Sequence, residues 1–330
     1  MSNNKDFSSE KSSSVKNVLI IGAAGYIGGA LCRKFSQTPD FAVLALVRPS
    51  SDIEGIKPFC KEIIRSQEVA ISSNDVAQAI RKHDITTVIN VAWHMPPEST
   101  QEAQFALDRI ALEAALYGAS AVSPDIHVIT TSGNFSLITT NGGRITEIPP
   151  PKGYTRPEYL ACFDLLSGVN ALKDVLVEEY ISNGGNASIV YPSSVYGSAP
   201  TRGSFWDFAI QQFITGKSHQ GYQPFPPDFM TAWIHVEDLA DCYIAVARFG
   251  SKGGHYLAAS ENFSISQVSK MFAQAAQVEF LAPVFENKDK VIFDDSHTRE
   301  VLQLQWKYKV ADEMKGWVER IKELGTYFLE

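Results

Sequence analysis

Along the first two-thirds of the chain, short apolar runs alternate with longer segments of helical periodicity. The apolar runs are bounded by glycine, proline or polar residues and predict buried strands at residues 18–21, 41–47, 86–91, 126–131 and 187–191. Helical patterns separate them, at residues 30–35, 76–82, 101–117 and 165–180. The alternation predicts an α/β fold, a doubly wound parallel sheet with helices on both faces.

The pattern changes after Pro192, and this change suggests a division of the chain. Residues 203–228 are rich in Phe, Gly, Pro and Gln and predict loops and helix that cover a cleft, and an amphipathic helix follows from residue 310. We therefore expect a disordered polar tail over 1–14, a sheet domain over 15–192 with returning segments near 230–260, and a smaller substrate-binding or lid region over 193–330.

Three glycines follow the first predicted strand and open the first predicted helix. Gly22 would permit a tight turn, Gly25 would let the backbone approach a pyrophosphate, and Gly28 would let the helix pack closely. Free N–H groups at the start of the helix would stabilise the phosphate charge. The predicted contacts of this Rossmann-type turn with a dinucleotide are Gly22, Ala24, Gly25, Tyr26, Ile27 and Gly28.

The end of the second strand decides which dinucleotide is expected. An NAD site places Asp or Glu there to accept hydrogen bonds from the ribose hydroxyls, whereas this chain has Arg48 followed by Pro49, Ser50 and Ser51. Arg48 can pair with a 2′-phosphate, and Ser50 or Ser51 can donate a hydrogen bond to it. The sequence therefore predicts NADP(H) as the cofactor.

Motifs along most of the chain resemble the extended branch of the short-chain dehydrogenase/reductases. This branch is the NAD-dependent epimerase/dehydratase family, which includes sugar-nucleotide epimerases and dihydroflavonol reductases. Besides the glycine spacing, they are the segments 90–92, 130–133, 191–197, 233–240 and 304–306. The resemblance covers residues 15 to about 327 and implies cofactor contacts at Ala92, Asn170, Pro192 and Ser193.

In that family, a Ser or Thr and a Tyr-x-x-x-Lys pair carry out the redox chemistry. Here Asp174 and Tyr180 resemble two later positions of the same helix, which puts Asn170 at the Lys position and Leu166 at the Tyr position. Leu cannot exchange protons, and Asn has no charge that could lower a pKa. Ser132 is the member of the set that remains.

Other polar residues follow the strands and would face the same cleft. Ser132 and Asn134 could polarise a substrate oxygen, and His94 could exchange protons near neutral pH. Tyr159 or Tyr154 could replace the lost tyrosine from another element. After the sixth strand come Tyr191, Ser193 and Tyr196, of which the two tyrosines are better explained as structural; packing and hydrogen bonding likewise explain His235 and Asp238.

Aromatic residues are concentrated in the predicted lid and bear on the substrate. They are Phe205, Trp206, Phe208, Phe213, Tyr222, Phe225, Phe229 and Trp233. The basic residues among them are Arg202 and Lys217, whereas a sugar nucleotide needs cations for its diphosphate. This composition favours a hydrophobic or aromatic small-molecule substrate, although some of these rings would form a local core.

Composition and charge restrict the kinds of binding partner that we expect for this protein. The net charge of −8 argues against nucleic acid or an anionic membrane, and no apolar run reaches the roughly 20 residues of a membrane helix. The four cysteines form no CxxC pair, so we expect no metal site and a cytoplasmic location. A homodimer through the helices at 101–117 and 165–180 is a possibility that the family resemblance raises.

Three functions remain open at this stage. The first is NADPH-dependent reduction of a carbonyl-type substrate, with a relocated acid, by an enzyme of small-molecule metabolism, secondary metabolism included. The second is an isomerase, dehydratase or cyclase on the same fold without net hydride transfer. The third is a regulatory protein that binds the cofactor without catalysis.

Overall fold

The computed structural model describes most of the 330 residues. The described residues are 15–93, 100–137, 143–148, 164–201, 203–204, 206–207, 211, 227–281, 283–285 and 291–324. They contain one large parallel sheet, helices on both of its faces, and two smaller sheets beside it.

Seven parallel strands form the large sheet. They are β1 (Lys16–Ile21), β2 (Phe41–Val47), β3 (Glu62–Arg65), β4 (Ile85–Asn90), β5 (His127–Thr131), β7 (Ala187–Pro192) and β10 (His255–Ala258). Their order is β10-β7-β5-β4-β1-β2-β3, and every pair is parallel. From β1 the chain continues to β2 and β3 on one side, and β4 then pairs with the other side of β1. The strand order therefore reverses between β1 and β4. This reversal opens a crevice at the carboxyl ends of the two strands.

Helices cover both faces of this sheet. One face carries α1 (Tyr26–Ser36) and α5 (Val236–Phe249), and the other carries α2 (Ser73–His83), α3 (Gln101–Ser120) and α4 (Asp164–Ser182). Each face has its own apolar core, with Leu31 and Phe35 on the first and Leu112 and Val177 on the second. The predicted doubly wound α/β sheet is confirmed.

The C-terminal part of the chain adds smaller elements at the carboxyl edge of the sheet. Strands β8 (Ser194–Tyr196), β9 (Met230–His235) and β11 (Glu261–Ser264) form one small sheet, and β6 (Gly143–Ile145) pairs with β12 (Val291–Phe293). The remaining helices are α6 (Ile265–Ala276), α7 (Ser296–Leu302) and α8 (Val310–Leu324), with short 3₁₀ turns η1 (Lys57–Phe59) and η2 (Asn134–Leu137).

The predicted elements are present, but several boundaries differ. Helix α1 begins at Tyr26 rather than at residue 30. The glycine turn leads directly into the helix, although Gly28 and Gly29 have a low helix propensity. Helix α2 begins at Ser73, after a reciprocal capping box between Ser72 and Asp75 that the apolar pattern does not show. Strands β3 and β10 lie at the two edges of the sheet and were not predicted.

Candidate active site

The glycine turn has the geometry that its spacing predicts. Gly22 has φ +87°, a left-handed conformation that favours glycine, and a β-carbon there would lie 2.6 Å from the Ala92 backbone nitrogen. A β-carbon on Gly28 would lie 2.1 Å from the Gly22 carbonyl oxygen. Gly25 precedes the first residue of α1 in extended conformation. The turn thus packs tightly against the end of β4 and leaves the free N–H groups of α1 at the crevice.

A cavity of about 800 Å³ extends from this turn across the carboxyl ends of the strands. It begins at the glycine turn, passes Arg48 and Ser51 after β2, and reaches the residues that follow β4, β5 and β7. Most of the predicted cofactor contacts line it, namely Gly22, Ala24, Gly25, Tyr26, Ile27, Arg48, Ala92, Asn170, Pro192 and Ser193. Gly28 instead packs beneath the turn.

The loop after β2 is held in place by a second arginine. Arg65, the last residue of β3, donates to the carbonyl oxygens of Arg48, Pro49 and Ser51, at 2.6 Å in the case of Pro49. Ser51 lines the cavity, whereas Ser50 is exposed outside the lining. The sequence offered Ser50 or Ser51 as a phosphate contact, and of these two residues Ser51 therefore has the better position.

Two buried polar atoms of the cavity lining have no protein partner among the described residues. They are Nδ2 of Asn134, a residue only 2% exposed, and Oγ of Ser193, a residue 6% exposed. A buried polar group without a hydrogen bond costs about 1–3 kcal/mol. These two atoms, one after β5 and one after β7, are therefore suited to contact a polar ligand in the cavity, and the glycine turn fits the diphosphate of a dinucleotide.

Ser132 connects the cavity with a buried carboxyl group on α4. Ser132 lines the cavity, and Asp174 lies behind it, 8% exposed. Burial raises the pKa of Asp174 from 3.8 to about 6, against the opposing effect of hydrogen bonds with the hydroxyls of Ser132 and Ser136. This carboxyl group therefore keeps its proton to a higher pH than an exposed aspartic acid does.

Lys173 also lines the cavity and was not selected from the sequence. Its side chain is buried, and Nζ lies 3.8 Å from Oδ2 of Asp108 on α3. Burial lowers the pKa of Lys173, whereas Asp108 and Asp174 oppose this change. Lys173 lacks a Tyr four residues before it, but it follows Asn170 by three residues, and this helical spacing puts both on one side of α4.

Three further residues that the sequence placed at the cleft are Asn170, Tyr191 and Tyr196. Asn170 contacts the end of β5, because a β-carbon on Gly133 would lie 2.5 Å from its Nδ2. The expectation that Tyr191 faces the cleft is wrong: its ring is fully buried and its hydroxyl lies 2.8 Å from His255 Nδ1. Tyr196 is likewise fully buried and stacks on Trp317. Their bulk is used in packing, as the structural interpretation of both residues predicts.

His235 and Asp238 have the packing and hydrogen-bonding roles that the sequence predicted. His235 caps α5, with its Nδ1 accepting from the Glu237 backbone N–H at 3.2 Å, and its ring stacks on Tyr308. The Asp238 carboxylate accepts from the backbone N–H groups of Lys307 and Tyr308.

Several predicted residues lie outside the described part of the chain. They are His94, Tyr154, Tyr159, Arg202, Lys217 and the lid aromatics Phe205, Phe208, Phe213, Tyr222 and Phe225. The side chain of Leu166 also lies outside it. The proposed roles of these residues stay predictions.

The described aromatic residues of the predicted lid differ in whether they line the cavity or belong to the core. Trp206 lines the cavity, and its ring centroid lies 4.4 Å from that of Trp233. Trp233 is fully buried and Phe229 is 6% exposed, so both belong to the local core. Asp207 anchors this region to α8, since it accepts from Trp317 Nε1 at 2.5 Å and from Arg320 at 3.2 Å.

Among the residues that the structure describes, no group of three His, Cys, Asp or Glu residues could hold a metal ion. None of the described helices is both long and apolar enough to cross a membrane.

Residues 18–144 match the model of the NAD dependent epimerase/dehydratase family. This match confirms the family resemblance over the segment that contains the glycine turn and strands β1 to β5. The family is one of nicotinamide-dependent enzymes, in agreement with the class of enzyme expected from the motifs. A comparison with curated protein sequences found no match.

Solved structures share the whole fold. The dTDP-glucose 4,6-dehydratase of Bacillus anthracis, solved with NAD, is 16% identical with a TM-score of 0.73, over 93% of this chain and 97% of that chain. The UDP-glucose 4-epimerase of Bifidobacterium longum, solved with NAD⁺ and UDP, is 15% identical with a TM-score of 0.73, over 93% and 98%. The UDP-glucuronic acid 4-epimerase of Bacillus cereus, solved with UDP-glucuronic acid and NAD, is 16% identical with a TM-score of 0.73, over 94% and 100%.

Proposed function

We propose that this protein is an NADP(H)-dependent enzyme that acts on an apolar or aromatic carbonyl compound. The observation that carries the proposal is the continuity of the site: the tight glycine turn leads into a cavity where Asn134 and Ser193 present buried, unpartnered polar atoms. A bound nicotinamide supplies or accepts a hydride. The fold is that of structures solved with NAD, which supports a cofactor of this class.

The choice of NADP(H) rests on the end of β2. Arg48 and Ser51 line the cavity there, and none of the described lining residues is a carboxylate. A guanidinium and a hydroxyl suit a 2′-phosphate, whereas a carboxylate would repel it. Arg48 is exposed, so solvent screening limits its contribution.

Cofactor titrations test this preference. Arg48→Ala should weaken NADPH binding about tenfold, the value of one charge-assisted hydrogen bond, and leave NADH binding within about twofold. Lys16→Ala is the matched control, because it removes the same charge at the start of β1, at the amino end of the strands and outside the cavity lining. Equal losses for NADPH and NADH in Arg48→Ala would remove the argument for NADP(H).

The substrate proposal rests on the rest of the lining. Apolar side chains line the cavity near the ends of β4 and β5, namely Trp93, Leu107, Ile110, Phe135 and Trp206. The cations of the described lining are Arg48, assigned above to the cofactor, and Lys173. A sugar nucleotide would need further positive charge for its diphosphate. A weakly charged small molecule therefore fits the described lining better, although the related structures are of enzymes named for sugar nucleotides.

The chain's own residues would orient and polarise the substrate. Ser132 Oγ and Asn134 Nδ2 can both donate to a carbonyl oxygen, and preorganised donors of this kind stabilise the charge that develops there. Lys173 brings a buried cation to the same helix face as Asn170. We propose that it supplies the positive charge that the family's lysine would supply one turn earlier.

A second function is kept because the family resemblance puts Asn170 at the position of the family's lysine. Without the Tyr-x-x-x-Lys pair, the site could catalyse an isomerisation, dehydration or cyclisation by polarising its substrate. The related structures are named as epimerases and dehydratases, which supports this alternative. A cofactor-binding regulatory role is the third.

A turnover assay separates the three. Acetophenone, benzylideneacetone and UDP-glucose would be incubated with the protein and NADPH, with nicotinamide absorbance and product formation followed together. Ketone-dependent loss of NADPH would establish the reductase. Product formation with NADPH unchanged would establish the non-redox enzyme, and tight NADPH binding with no product from any compound would favour the regulatory role.

We also propose that the protein is a cytosolic homodimer, and that residues 193–330, with Trp206 among the cavity lining, supply part of the substrate region. Outside the cavity lining, helices α3 and α4 carry large apolar side chains that are 40–51% exposed, namely Tyr117, Leu172 and Val175. Such side chains on adjacent helices suit an isologous interface. Light scattering of Leu172→Glu should give a monomer where the wild type gives a dimer. The described cysteines are unpaired, in keeping with a reducing compartment.

A further inference from the structure

The segment that follows β8 returns to the glycine turn and is hydrogen-bonded to it. Thr201 Oγ1 donates to the Gly25 carbonyl oxygen at 2.8 Å, across 176 positions of the sequence. The Tyr26 hydroxyl donates to the Gly197 carbonyl oxygen at 2.9 Å, so both ends of residues 197–201 are held to the start of α1. Glycine alone permits the conformation of the turn, so the Thr201 hydroxyl adds an interaction that turn formation does not require.

The Gly25 carbonyl oxygen accepts two hydrogen bonds, one from Thr201 and one from the Gly29 backbone N–H at 2.8 Å. Because the peptide bond is planar, fixing this carbonyl group also fixes the direction of the Tyr26 N–H in the same peptide. That N–H is the first of α1 and has no partner within the helix. A hydrogen bond to a carbonyl oxygen also polarises the peptide and makes its N–H a stronger donor. Thr201 therefore sets both the direction and the strength of a donor at the crevice.

Gly29 makes room for the Thr201 side chain over the first turn of α1. A β-carbon on Gly29 would lie 2.5 Å from Thr201 Oγ1 and 2.7 Å from Thr201 Cγ2. Tyr26 lines the cavity, whereas Thr201 and Gly29, which the structure also describes, lie outside its lining. Thr201 would therefore act on a bound ligand through the Gly25–Tyr26 peptide and not by direct contact.

We propose that Thr201 is a positioning residue of the nucleotide site, whose hydroxyl aims the Tyr26 N–H at the diphosphate of the bound cofactor. The inference rests on the proposed function for the identity of the ligand as a dinucleotide. The start of a helix favours a negatively charged group through its N–H groups and its dipole. NADPH and NADH carry the same diphosphate, so loss of this hydroxyl affects both cofactors equally, in contrast to loss of Arg48.

Titrations of Thr201 variants with NADPH, NADH and ADP-ribose test the role of the hydroxyl. Thr201→Val keeps the branched shape of the side chain, and the Gly25 carbonyl oxygen keeps its bond from Gly29, so the variant should fold, as thermal unfolding checks. Its affinity for all three ligands should fall by a common factor of about three to ten, the value of one hydrogen bond. Thr201→Ser restores the hydroxyl and should bind within about twofold of the wild type.

Thr38→Val is the matched control, because the Thr38 hydroxyl donates to the Lys34 carbonyl oxygen at 2.9 Å near the C-terminal end of α1. It should leave the three affinities within about twofold of the wild type. Wild-type affinities in Thr201→Val, or a loss in Thr201→Ser as large as that in Thr201→Val, would overturn the positioning role.

Adenosine 2′-phosphate locates the effect along the nucleotide. It lacks the diphosphate, so the wild type and Thr201→Val should bind it equally. A loss as large as that for ADP-ribose would indicate a general disturbance of the cavity and would contradict positioning at the glycine turn.

Gly29→Ala perturbs the same hydrogen bond from the side of the helix. Its β-carbon would displace the Thr201 hydroxyl, so affinity for ADP-ribose should fall by about the same factor as in Thr201→Val. In a Thr201→Ala background, which already lacks the hydroxyl, Gly29→Ala should change the affinity by less than about twofold. Losses that multiply in the double variant would contradict a shared cause.

The same titrations distinguish failure of the positioning role from failure of the proposed function. If the wild type binds the three ligands and Thr201→Val binds them equally well, the positioning role fails and the cofactor site stands. If Arg48→Ala affects NADPH and NADH alike while Thr201→Ser rescues the loss in Thr201→Val, the choice of NADP(H) fails and the positioning role stands. If the wild type binds none of the three, both fail together.

Discussion

The buried Asp174 should make the stability of this protein depend on pH in a direction opposite to that of a salt-bridged carboxylate. Its pKa rises from 3.8 to about 6 because folding removes the carboxyl group from water. The folded protein therefore holds this proton more tightly than the unfolded chain does. The stability linked to Asp174 should be fully present below pH 4, decline as pH rises to about 6, and remain constant above it.

The magnitude follows from the change in proton affinity. A pKa rise from 3.8 to about 6 is a change of roughly a hundredfold, worth about 3 kcal/mol, of which about half is lost above pH 5. Asp174→Asn removes the titrating group and nearly conserves its shape. The free energy of unfolding of the wild type, relative to that of Asp174→Asn, should therefore fall by about 1.5 kcal/mol between pH 5 and pH 8.

Urea denaturation followed by circular dichroism at pH 5, 6, 7 and 8 measures this difference. Asp40→Asn is the control: the Arg248 guanidinium lowers the pKa of Asp40, so its contribution is lost only at more acidic pH and should be constant across this range. A wild-type advantage over Asp174→Asn that does not change with pH, or that grows as pH rises, would refute the assignment of a buried, protonated carboxyl group.

Three further substitutions test the surroundings of the site. Gly28→Ala should lower NADPH affinity at least tenfold and destabilise the fold by about 1–3 kcal/mol, since its β-carbon would meet the Gly22 carbonyl; unchanged affinity and melting would contradict the tight turn. Asp207→Ala should cost about 3 kcal/mol by leaving Arg320 without its buried partner, and a loss below 1 kcal/mol in urea denaturation would count against that anchor. Lys173→Met should also lower the free energy of unfolding by about 3 kcal/mol, and adding Asp108→Asn should restore part of this stability, because it removes the buried negative charge that the lysine compensates. Additive losses in the double variant would argue against the ion pair.

The sheet could be predicted because its signals are local. Runs such as residues 41–47 are apolar throughout, as strands covered on both faces require, and the glycines at 22, 25 and 28 are placed by backbone geometry alone. Strand β3, with the sequence Glu62–Arg65, lies at an edge and lacks such a run. Its place in the sheet depends on pairing with β2, which no local pattern records.

The candidate site divides in the same way. Ser132 and Asn134 were predicted because they directly follow a strand, where parallel sheets collect ligand contacts. Lys173 was not selected from the sequence, because it has no tyrosine at the family's spacing, and its ion pair is with Asp108 on another helix. Asp174 was recognised as a family position, but its raised pKa depends on burial against β5 and η2, a property of the packed structure.

Hydrogen–deuterium exchange with and without NADPH tests the central claim most directly, because it shows where on the chain the nucleotide binds. The account predicts that saturating NADPH slows exchange of the backbone amides of residues 22–27 and 131–134, which line the cavity, and leaves α8 unchanged. Absence of protection at the glycine turn, or protection confined to other segments, would contradict the assignment of this cavity as the cofactor site.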